Sequence, residues 1–189
     1  MKTRFAPSPT GYMHFGNLRT ALFNFLLAKK QGGQFLLRIE DTDQVRSKPE
    51  YVDALLQDLS WASIQHDQIE YQSKREQVYA EYYEKLIKTE RAYPCFCSEQ
   101  QLAISRKTQL SAGKPPRYMG TCRHLLREEV NTKLQSGIAP TLRFSMPDNE
   151  FIIFEDLVKG KQKFSSDDIG DFIIRRADGS ASFMFCNAV

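Results

Sequence analysis

The 189-residue sequence predicts an α/β protein in which a parallel sheet is followed by a smaller α+β module. The first observation is a strand, a loop, a helix and a strand in succession near the N-terminus, which is the order of a βαβ unit. The second is a change of texture after about Ala92, where cysteines, a basic stretch and short alternating segments appear. The third is the composition, 41% hydrophobic and 26% charged, which excludes collagen-like, low-complexity and wholly disordered chains.

The βαβ unit is predicted over residues 4–39. Residues 4–6 are typical of a short strand, and the loop at residues 7–16 is rich in proline and glycine. Apolar residues then recur at helical spacing until the glycine pair at 32–33 ends the helix. Residues 35–39 form a compact apolar strand that leads into an acidic turn.

Further elements are predicted with less regular patterns. Ser47 and Ser73 are each followed three residues later by a glutamate, which predicts a capping box at the start of two more helices. Residues 141–144 and 151–154 are predicted strands of the second module. Residues 183–189 are apolar and β-prone, so we expect a half-buried strand there and a chain cut inside a domain.

The sequence also excludes some locations. No stretch approaches 18 uninterrupted apolar residues, and the N-terminus has no apolar signal region. We therefore expect a cytoplasmic protein with reduced thiols.

The loop before the first helix is the first candidate site. A glycine-containing turn at a helix N-terminus offers backbone N–H groups and the positive end of the helix dipole to an anion. His14 and Asn17 flank that terminus and add side-chain donors. The glycine spacings of the P-loop and of the dinucleotide fingerprint are absent, so spacing alone supports a nucleotide site and a simple capping loop about equally.

An acidic turn is the second candidate site. Glu40, Asp41 and Asp43 follow the second strand at its carboxyl end, where open α/β sheets bind ligands. They can pair with a substrate amine, a metal or Arg4. A solvated turn in which Asp43 caps the next helix is the alternative, and these residues alone favour it somewhat.

A cysteine and histidine pattern is the third candidate site. Cys95, Cys97, Cys122 and His124 can complete a tetrahedral zinc site, although one-residue spacings are tighter than usual. Tyr118 is a competing ligand. The pattern favours zinc over buried, inert cysteines.

A basic stretch overlaps this pattern. Between residues 101 and 127 there are six basic residues and no acidic ones, which suits a phosphate backbone. Because the net charge is only +3, any such attraction is local, and a solvated charged face is the alternative. The basic residues are Arg106, Lys107, Lys114, Arg117, Arg123 and Arg127.

Together, these segments resemble the catalytic N-terminus of glutamyl-tRNA synthetase, a class I aminoacyl-tRNA synthetase. The resemblance rests on RFAPSPTG at residues 4–11, HFGN at 14–17, RTALFN at 19–24 and RIEDTD at 38–43, and it runs the whole chain. It implies a Rossmann-like nucleotide-binding fold whose first half spans residues 1–92. An inserted zinc-containing connective domain at 93–175 then grips the tRNA acceptor end, and residues 176–189 return into a truncated second half.

The resemblance also implies an activity and its residues. The family activates L-glutamate with ATP and Mg²⁺ to glutamyl-adenylate and then esterifies the 3′-terminal ribose of tRNA(Glu). We expect this protein to be a monomer. His14 and Gly16 match catalytic positions. The implied ATP-binding residues are Thr10, Gly11, His14, Gly16 and Asn17, and the glutamate-binding residues are Arg4, Ala6, Ser8, Glu40, Phe183 and Asn187. The implied tRNA-binding residues are Arg46, Arg106, Lys107, Lys114, Arg117 and Arg123, and the ligands of a structural Zn²⁺ are Cys95, Cys97, Cys122 and His124.

Two departures and two alternatives accompany the resemblance. Asn17 replaces the second histidine of the general class I signature, and Phe183 replaces a common tyrosine. The related enzyme that places glutamate on queuosine in tRNA(Asp) shares the loop and a Cys-x-Cys … Tyr-x-x-x-Cys pattern, which Tyr118 and Cys122 fit. Residues 19–24, Thr42 and His124 favour the tRNA-charging enzyme. A non-catalytic tRNA-binding relic is the other alternative. Because half of the implied ATP site is absent, the isolated chain is expected not to form glutamyl-adenylate.

Overall fold

The computed structural model describes residues 1–43 and 45–189. The chain divides into two compact units, Met1–Gln77 and Val78–Val189. The domain boundaries expected after residues 92 and 175 come from the family resemblance, and they stay predictions. Over the described ranges, no helix is both long enough and apolar enough to cross a membrane.

The first unit is built on a three-stranded parallel sheet. Its elements are β1 (Lys2–Phe5), α1 (Phe15–Lys30), β2 (Gln34–Ile39), α2 (Pro49–Trp61), β3 (Gln68–Tyr71) and a 3₁₀ turn (Gln72–Lys74). The strand order is β1-β2-β3, and both pairings are parallel, which confirms the predicted βαβ unit. The central strand contributes Phe35, Leu37 and Ile39 to the core, where they meet Ala21 and Ala28 of α1. Strands buried in parallel sheets are continuously apolar, and this explains the compact run that predicts β2.

Both predicted capping boxes in this part of the chain are wrong. The N-cap of α2 is Lys48, which makes no side-chain cap, and Pro49 at the first turn supplies the helical φ instead. Ser73 lies in the 3₁₀ turn, three residues before α3 begins at Glu76. Its backbone N–H and its hydroxyl donate to the Asp41 carboxylate at 2.8 and 2.6 Å. The N–H and hydroxyl groups of Ser73, which the local pattern assigned to a helix cap, therefore bind a residue 32 positions away in the sequence.

The second unit has α+β character, and its first helix begins two residues before the unit does. Its elements are α3 (Glu76–Lys88), β4 (Ala92–Cys95), α4 (Glu99–Ser111), α5 (Arg127–Gln135), β5 (Thr141–Phe144), β6 (Phe151–Asp156), β7 (Gly160–Ser165), α6 (Ser166–Ile169), β8 (Phe172–Arg175) and α7 (Phe183–Ala188). Strands β4, β5 and β8 form one antiparallel sheet, and β6 and β7 form a separate hairpin. Tyr83, Leu142, Ile174 and Phe185 lie in the core beside the sheet.

The predicted C-terminal strand is wrong, because residues 183–188 form the helix α7. Ser182 is its N-cap and accepts a hydrogen bond from Phe185 N at 3.3 Å. The Phe185 ring stacks on Tyr83 with the ring centroids 4.4 Å apart, and Cys186 is fully buried. A cap and a packed aromatic ring outweigh the weak β-propensity of the segment.

Candidate functional site

A cavity of about 680 Å³ lies in the first unit, between the end of β1, the loop after it and the first turn of α1. Most of the predicted ATP- and glutamate-binding residues of this unit line it. They are Arg4, Ala6, Ser8, Thr10, His14, Gly16 and Asn17. Gly11 and Glu40 are not among the described residues that line this cavity.

His14 is the N-cap of α1. Its Nδ1 accepts a hydrogen bond from Gly16 N at 3.1 Å, and its carbonyl accepts bonds from Asn17 N and Leu18 N at 2.9 and 3.1 Å. Since Nδ1 is the acceptor, this hydrogen bond assigns the proton of the neutral ring to Nε2. The histidine thus closes the helix terminus with one nitrogen and keeps an N–H donor on the other.

Gly16 provides the space that the imidazole occupies. A Cβ atom built on Gly16 would lie 2.9 Å from His14 Cε1 and 3.0 Å from His14 Nδ1. Real Cβ atoms essentially never show contacts under 3.0 Å, so any side chain at this position would displace the imidazole ring. The two predicted catalytic positions therefore depend on each other sterically.

A buried ion pair lies at the end of β2. Arg38 Nη2 donates to Glu40 Oε1 at 2.6 Å, and both side chains are less than a tenth exposed. Burial lowers the pKa of Arg4, the charge of Arg38 lowers it further, and the charge of Glu40 raises it. The three electrostatically linked groups carry two positive charges and one negative charge, so the net charge suits an anionic ligand.

Arg38 is a site residue that the sequence reasoning missed. The available signal was a cation inside an apolar strand, a position where a charged side chain needs a partner.

The rest of the acidic turn forms internal contacts. Asp41 binds Ser73, as described above. Asp43 accepts hydrogen bonds from Arg46 N at 3.1 Å and from Arg46 Nε at 2.7 Å, and the side-chain bond is the main reason that the pKa of Asp43 is lowered. Asp43 therefore binds Arg46 and does not cap α2. The predicted tRNA contact, Arg46, remains 71% exposed despite this pair.

Three cysteines meet in the second unit. The sulfurs of Cys95, Cys97 and Cys122 all lie within 4.8 Å of one another. The Tyr118 hydroxyl lies 3.3 Å from Cys95 Sγ and 3.5 Å from Cys97 Sγ, and it accepts a hydrogen bond from Cys122 N at 2.9 Å. Among the described residues, His124 is not in this group, and it lines a neighbouring cavity of about 520 Å³.

The electrostatics of the cluster suit a soft cation. Burial raises the pKa of the Cys95 thiol, but the Tyr118 hydroxyl and the Arg143 guanidinium stabilise the thiolate more strongly and lower the pKa to about 7. Burial raises the pKa of Cys97 to about 11. Three cysteine sulfurs are ligands that Zn²⁺ accepts in structural sites, and the Tyr118 hydroxyl lies beside two of them. The residues present therefore fit a structural zinc ion.

The predicted tRNA-binding cations divide into two groups. Arg117 Nη2 pairs with Asp168 at 2.8 Å, and Arg123 Nη1 pairs with Asp148 at 2.9 Å. Within the described ranges, the other predicted cations of the second unit form no ion pair with a carboxylate. They are Arg106, Lys107 and Lys114.

The remaining two predicted residues lie on α7. Phe183 is half exposed and lines a cavity of about 810 Å³ in the second unit, where Arg106, Tyr118 and Arg143 also lie. Asn187 lies one turn further along the helix. Their assignment to a glutamate pocket stays a prediction.

The parallel βαβ unit and its helix-terminus cavity are those of a class I aminoacyl-tRNA synthetase. The chain belongs to the family of tRNA synthetases class I (E and Q), catalytic domain, whose family model matches residues 1–189. It is 54% identical to glutamate–tRNA ligase 2 of Coxiella burnetii over an alignment of 198 residues, which covers all of this chain and 43% of the relative. Glutamate–tRNA ligase 2 of Alkalilimnicola ehrlichii is 55% identical, with 42% of its length covered.

A solved structure agrees with these relatives. The crystal structure of a glutamate tRNA ligase from Elizabethkingia meningosepticum, in complex with its amino acid, matches 99% of this chain and 40% of its own, with a TM-score of 0.89 and 32% identity. The resemblance inferred from the sequence motifs is therefore confirmed. The chain spans about 43% of the length of the curated relatives that it matches.

Proposed function

We propose that this chain is the part of a glutamate–tRNA ligase that binds ATP and L-glutamate. The observation that carries the proposal is the single cavity that contains both the His14–Gly16 helix terminus and Arg4. One end offers N–H donors to phosphate oxygens, and the other offers a guanidinium to a carboxylate. The relatives named glutamate–tRNA ligases support the same substrates.

In the proposed first step, a glutamate carboxylate oxygen attacks the α-phosphorus of ATP. A new O–P bond forms, and the bond to pyrophosphate breaks, which gives glutamyl-adenylate. His14 Nε2–H stabilises the negative charge that develops on the phosphate oxygens, and its fixed Nδ1 bond means that no reorientation is needed. Mg²⁺ neutralises part of the phosphate charge when it is bound.

Recognition of glutamate is proposed to use the charges at the ends of β1 and β2. Arg4 attracts a substrate carboxylate, and Glu40 provides the countercharge for the amine while Arg38 holds its position at 2.6 Å. Ala6 and Ser8 line the cavity beside Arg4. The assignment of Phe183 and Asn187 to glutamate binding is supported by the family resemblance alone.

The second unit is proposed to bind the acceptor end of tRNA(Glu) and one structural zinc ion. Arg106, Lys107 and Lys114 are the better candidates for phosphate contacts, because Arg117 and Arg123 already pair with carboxylates. Cys95, Cys97 and Cys122 would hold the metal. We favour Tyr118 over His124 as the fourth group, since its hydroxyl already lies beside two of the sulfurs.

A chimera tests the proposed activity. In it, the 189 residues replace the aligned segment of the Coxiella burnetii relative, and charging of tRNA(Glu) with glutamate is measured. We expect charging, and we expect His14→Ala to reduce the rate about 10²- to 10³-fold, as for loss of one transition-state donor. His66→Ala, another histidine in the first unit, is the matched control and should have little effect. A folded chimera that does not charge tRNA(Glu), although the parent relative does, would contradict the proposal.

The same chimera separates the alternatives. The queuosine-modifying enzyme is not favoured, because the relatives are named glutamate–tRNA ligases. Transfer of glutamate to queuosine-containing tRNA(Asp), without charging of tRNA(Glu), would support it instead. Tight tRNA binding without any glutamate activation would support the non-catalytic relic.

A further inference from the structure

Arg143 is a buried cation in the central strand of the second unit. It lies on β5, between β4 and β8, opposite Tyr93 of β4, and it is only 5% exposed. A guanidinium cannot be deprotonated under ordinary conditions, so a buried arginine needs nearby negative charge or a full set of hydrogen-bond acceptors.

The protein supplies Arg143 with few such partners. Its Nη1 donates to the backbone carbonyl of Asp171 at 3.2 Å, and its Nε has no hydrogen-bond partner among the described residues. The Asp171 carboxylate accepts bonds from the Tyr93 hydroxyl and from Met146 N. No carboxylate of the described residues forms an ion pair with Arg143. Its charge is therefore largely uncompensated by acidic side chains.

The cysteine cluster lies on the other side of this guanidinium. The Arg143 Cζ atom is 3.7 Å from the centroid of the Tyr118 ring, so the guanidinium lies over the ring face. The hydroxyl of that same ring lies beside Cys95 and Cys97.

We propose that Arg143 is the built-in countercharge of the zinc-loaded cysteine cluster and a positioning residue for Tyr118. With Tyr118 as a neutral hydroxyl, three thiolates and one Zn²⁺ ion carry a net charge of −1, which one guanidinium neutralises. Stacking on the Tyr118 ring also holds the hydroxyl against the sulfurs. The inference rests on the proposed zinc site and goes beyond it, because it assigns a residue that is not a ligand.

The alternative role for Arg143 is packing within the sheet. Lysine separates the two roles, because it keeps the charge but lacks the flat group that stacks on an aromatic ring. Methionine keeps much of the side-chain length and removes the charge. Arg127 of α5 is an exposed arginine in the same unit with no described ion pair, so Arg127→Met is a control with the same change of net charge.

The test measures zinc affinity in the four proteins by competition with a chromophoric chelator, and the visible spectrum of the Co²⁺-substituted cluster in parallel. We expect R143M to bind Zn²⁺ about 10- to 100-fold more weakly, which is the usual effect of losing a partner in the outer shell of a metal site. R143K should lose less than about 10-fold, and R127M should match the wild type. The gain in unfolding midpoint on adding Zn²⁺ should shrink in R143M alone.

Several outcomes would overturn the inference. A wild-type zinc affinity in R143M would do so, as would an equal loss in R143K and R143M. If R143M does not fold, R143K decides the question, since a loss greater than about 10-fold contradicts the countercharge. A wild-type chain that binds no zinc would remove the proposed metal site together with this inference. A zinc-binding wild type with an unaffected R143M would remove only the inference. The proposed binding of ATP and glutamate is tested separately in the chimera, because its cavity lies in the first unit.

Discussion

The buried pair of Arg38 and Glu40 allows a quantitative prediction about the first unit. Glu40→Gln keeps the shape of the side chain and removes its charge. It would remove the carboxylate charge that pairs with the buried guanidinium of Arg38, beside Arg4, whose pKa is already lowered by burial and by the charge of Arg38. We therefore expect E40Q to destabilise this unit even without a ligand.

The magnitude follows from the distance and the burial. Two unit charges 2.6 Å apart attract each other by about 6 kcal/mol at an effective dielectric constant of about 20. The cost of burying both charges offsets much of this, and removal of one partner of a buried pair costs about 3–5 kcal/mol. Glutamine can still accept a hydrogen bond from Arg38, so we expect a loss of about 3 kcal/mol.

The assay is urea unfolding near neutral pH, followed by circular dichroism. Glu50→Gln is the matched control, since Glu50 pairs with Lys48 at 3.5 Å while both side chains are more than half exposed. Exposed pairs contribute about 0–1 kcal/mol. The double variant R38M/E40Q should be more stable than E40Q, because it removes both buried charges of the pair and not only one of them. If E40Q costs no more than E50Q, the reasoning is wrong.

Three further predictions concern the helix terminus, a buried tyrosine and the basic stretch. Gly16→Ala displaces the His14 ring, and we expect it to slow tRNA charging by the chimera about 10²-fold. The free energy of unfolding in urea should change by less than about 1 kcal/mol. Unaltered charging would refute this prediction. Burial and a hydrogen bond to a carboxylate raise the pKa of Tyr93. The protonated Tyr93 therefore contributes its full stabilisation below about pH 10. Above that pH the unfolded chain loses this proton before the folded chain does, so the contribution falls. Tyr93→Phe should therefore flatten the loss of stability seen in urea unfolding at alkaline pH, and an unchanged slope would argue against this. Lys107→Ala should weaken tRNA binding and reduce its salt dependence by about one counterion, without affecting stability. Arg123→Ala should instead lower the free energy of unfolding in urea by about 2 kcal/mol. Equal effects of the two on stability would contradict the division of the cations.

The βαβ unit and the loop site were predictable because both follow from short-range patterns. The apolar run at residues 35–39 and the helical spacing before Gly32 have periods that fit inside one element. The donors at the α1 terminus follow from a helix that begins directly after a glycine-containing loop. The cysteine spacing likewise predicted the grouping of Cys95, Cys97 and Cys122.

The missed features depend on partners that are distant in the sequence. Ser73 has the pattern of a cap, but it contacts Asp41, and the segment at 183–188 becomes a helix once Phe185 packs on Tyr83. A pattern within one window gives no information about such pairs.

The amino-acid order alone therefore specifies the α/β class, the glycine-containing loop that leads into α1 and the grouping of three cysteines, because periodicity, turn residues and cysteine spacing are local properties. Tertiary packing alone places Arg38 against Glu40 and Arg143 over Tyr118. It also leaves His124 outside the cysteine group. These contacts depend on burial and on distances between separate elements, and a buried charge acquires its partner only when the chain folds around it.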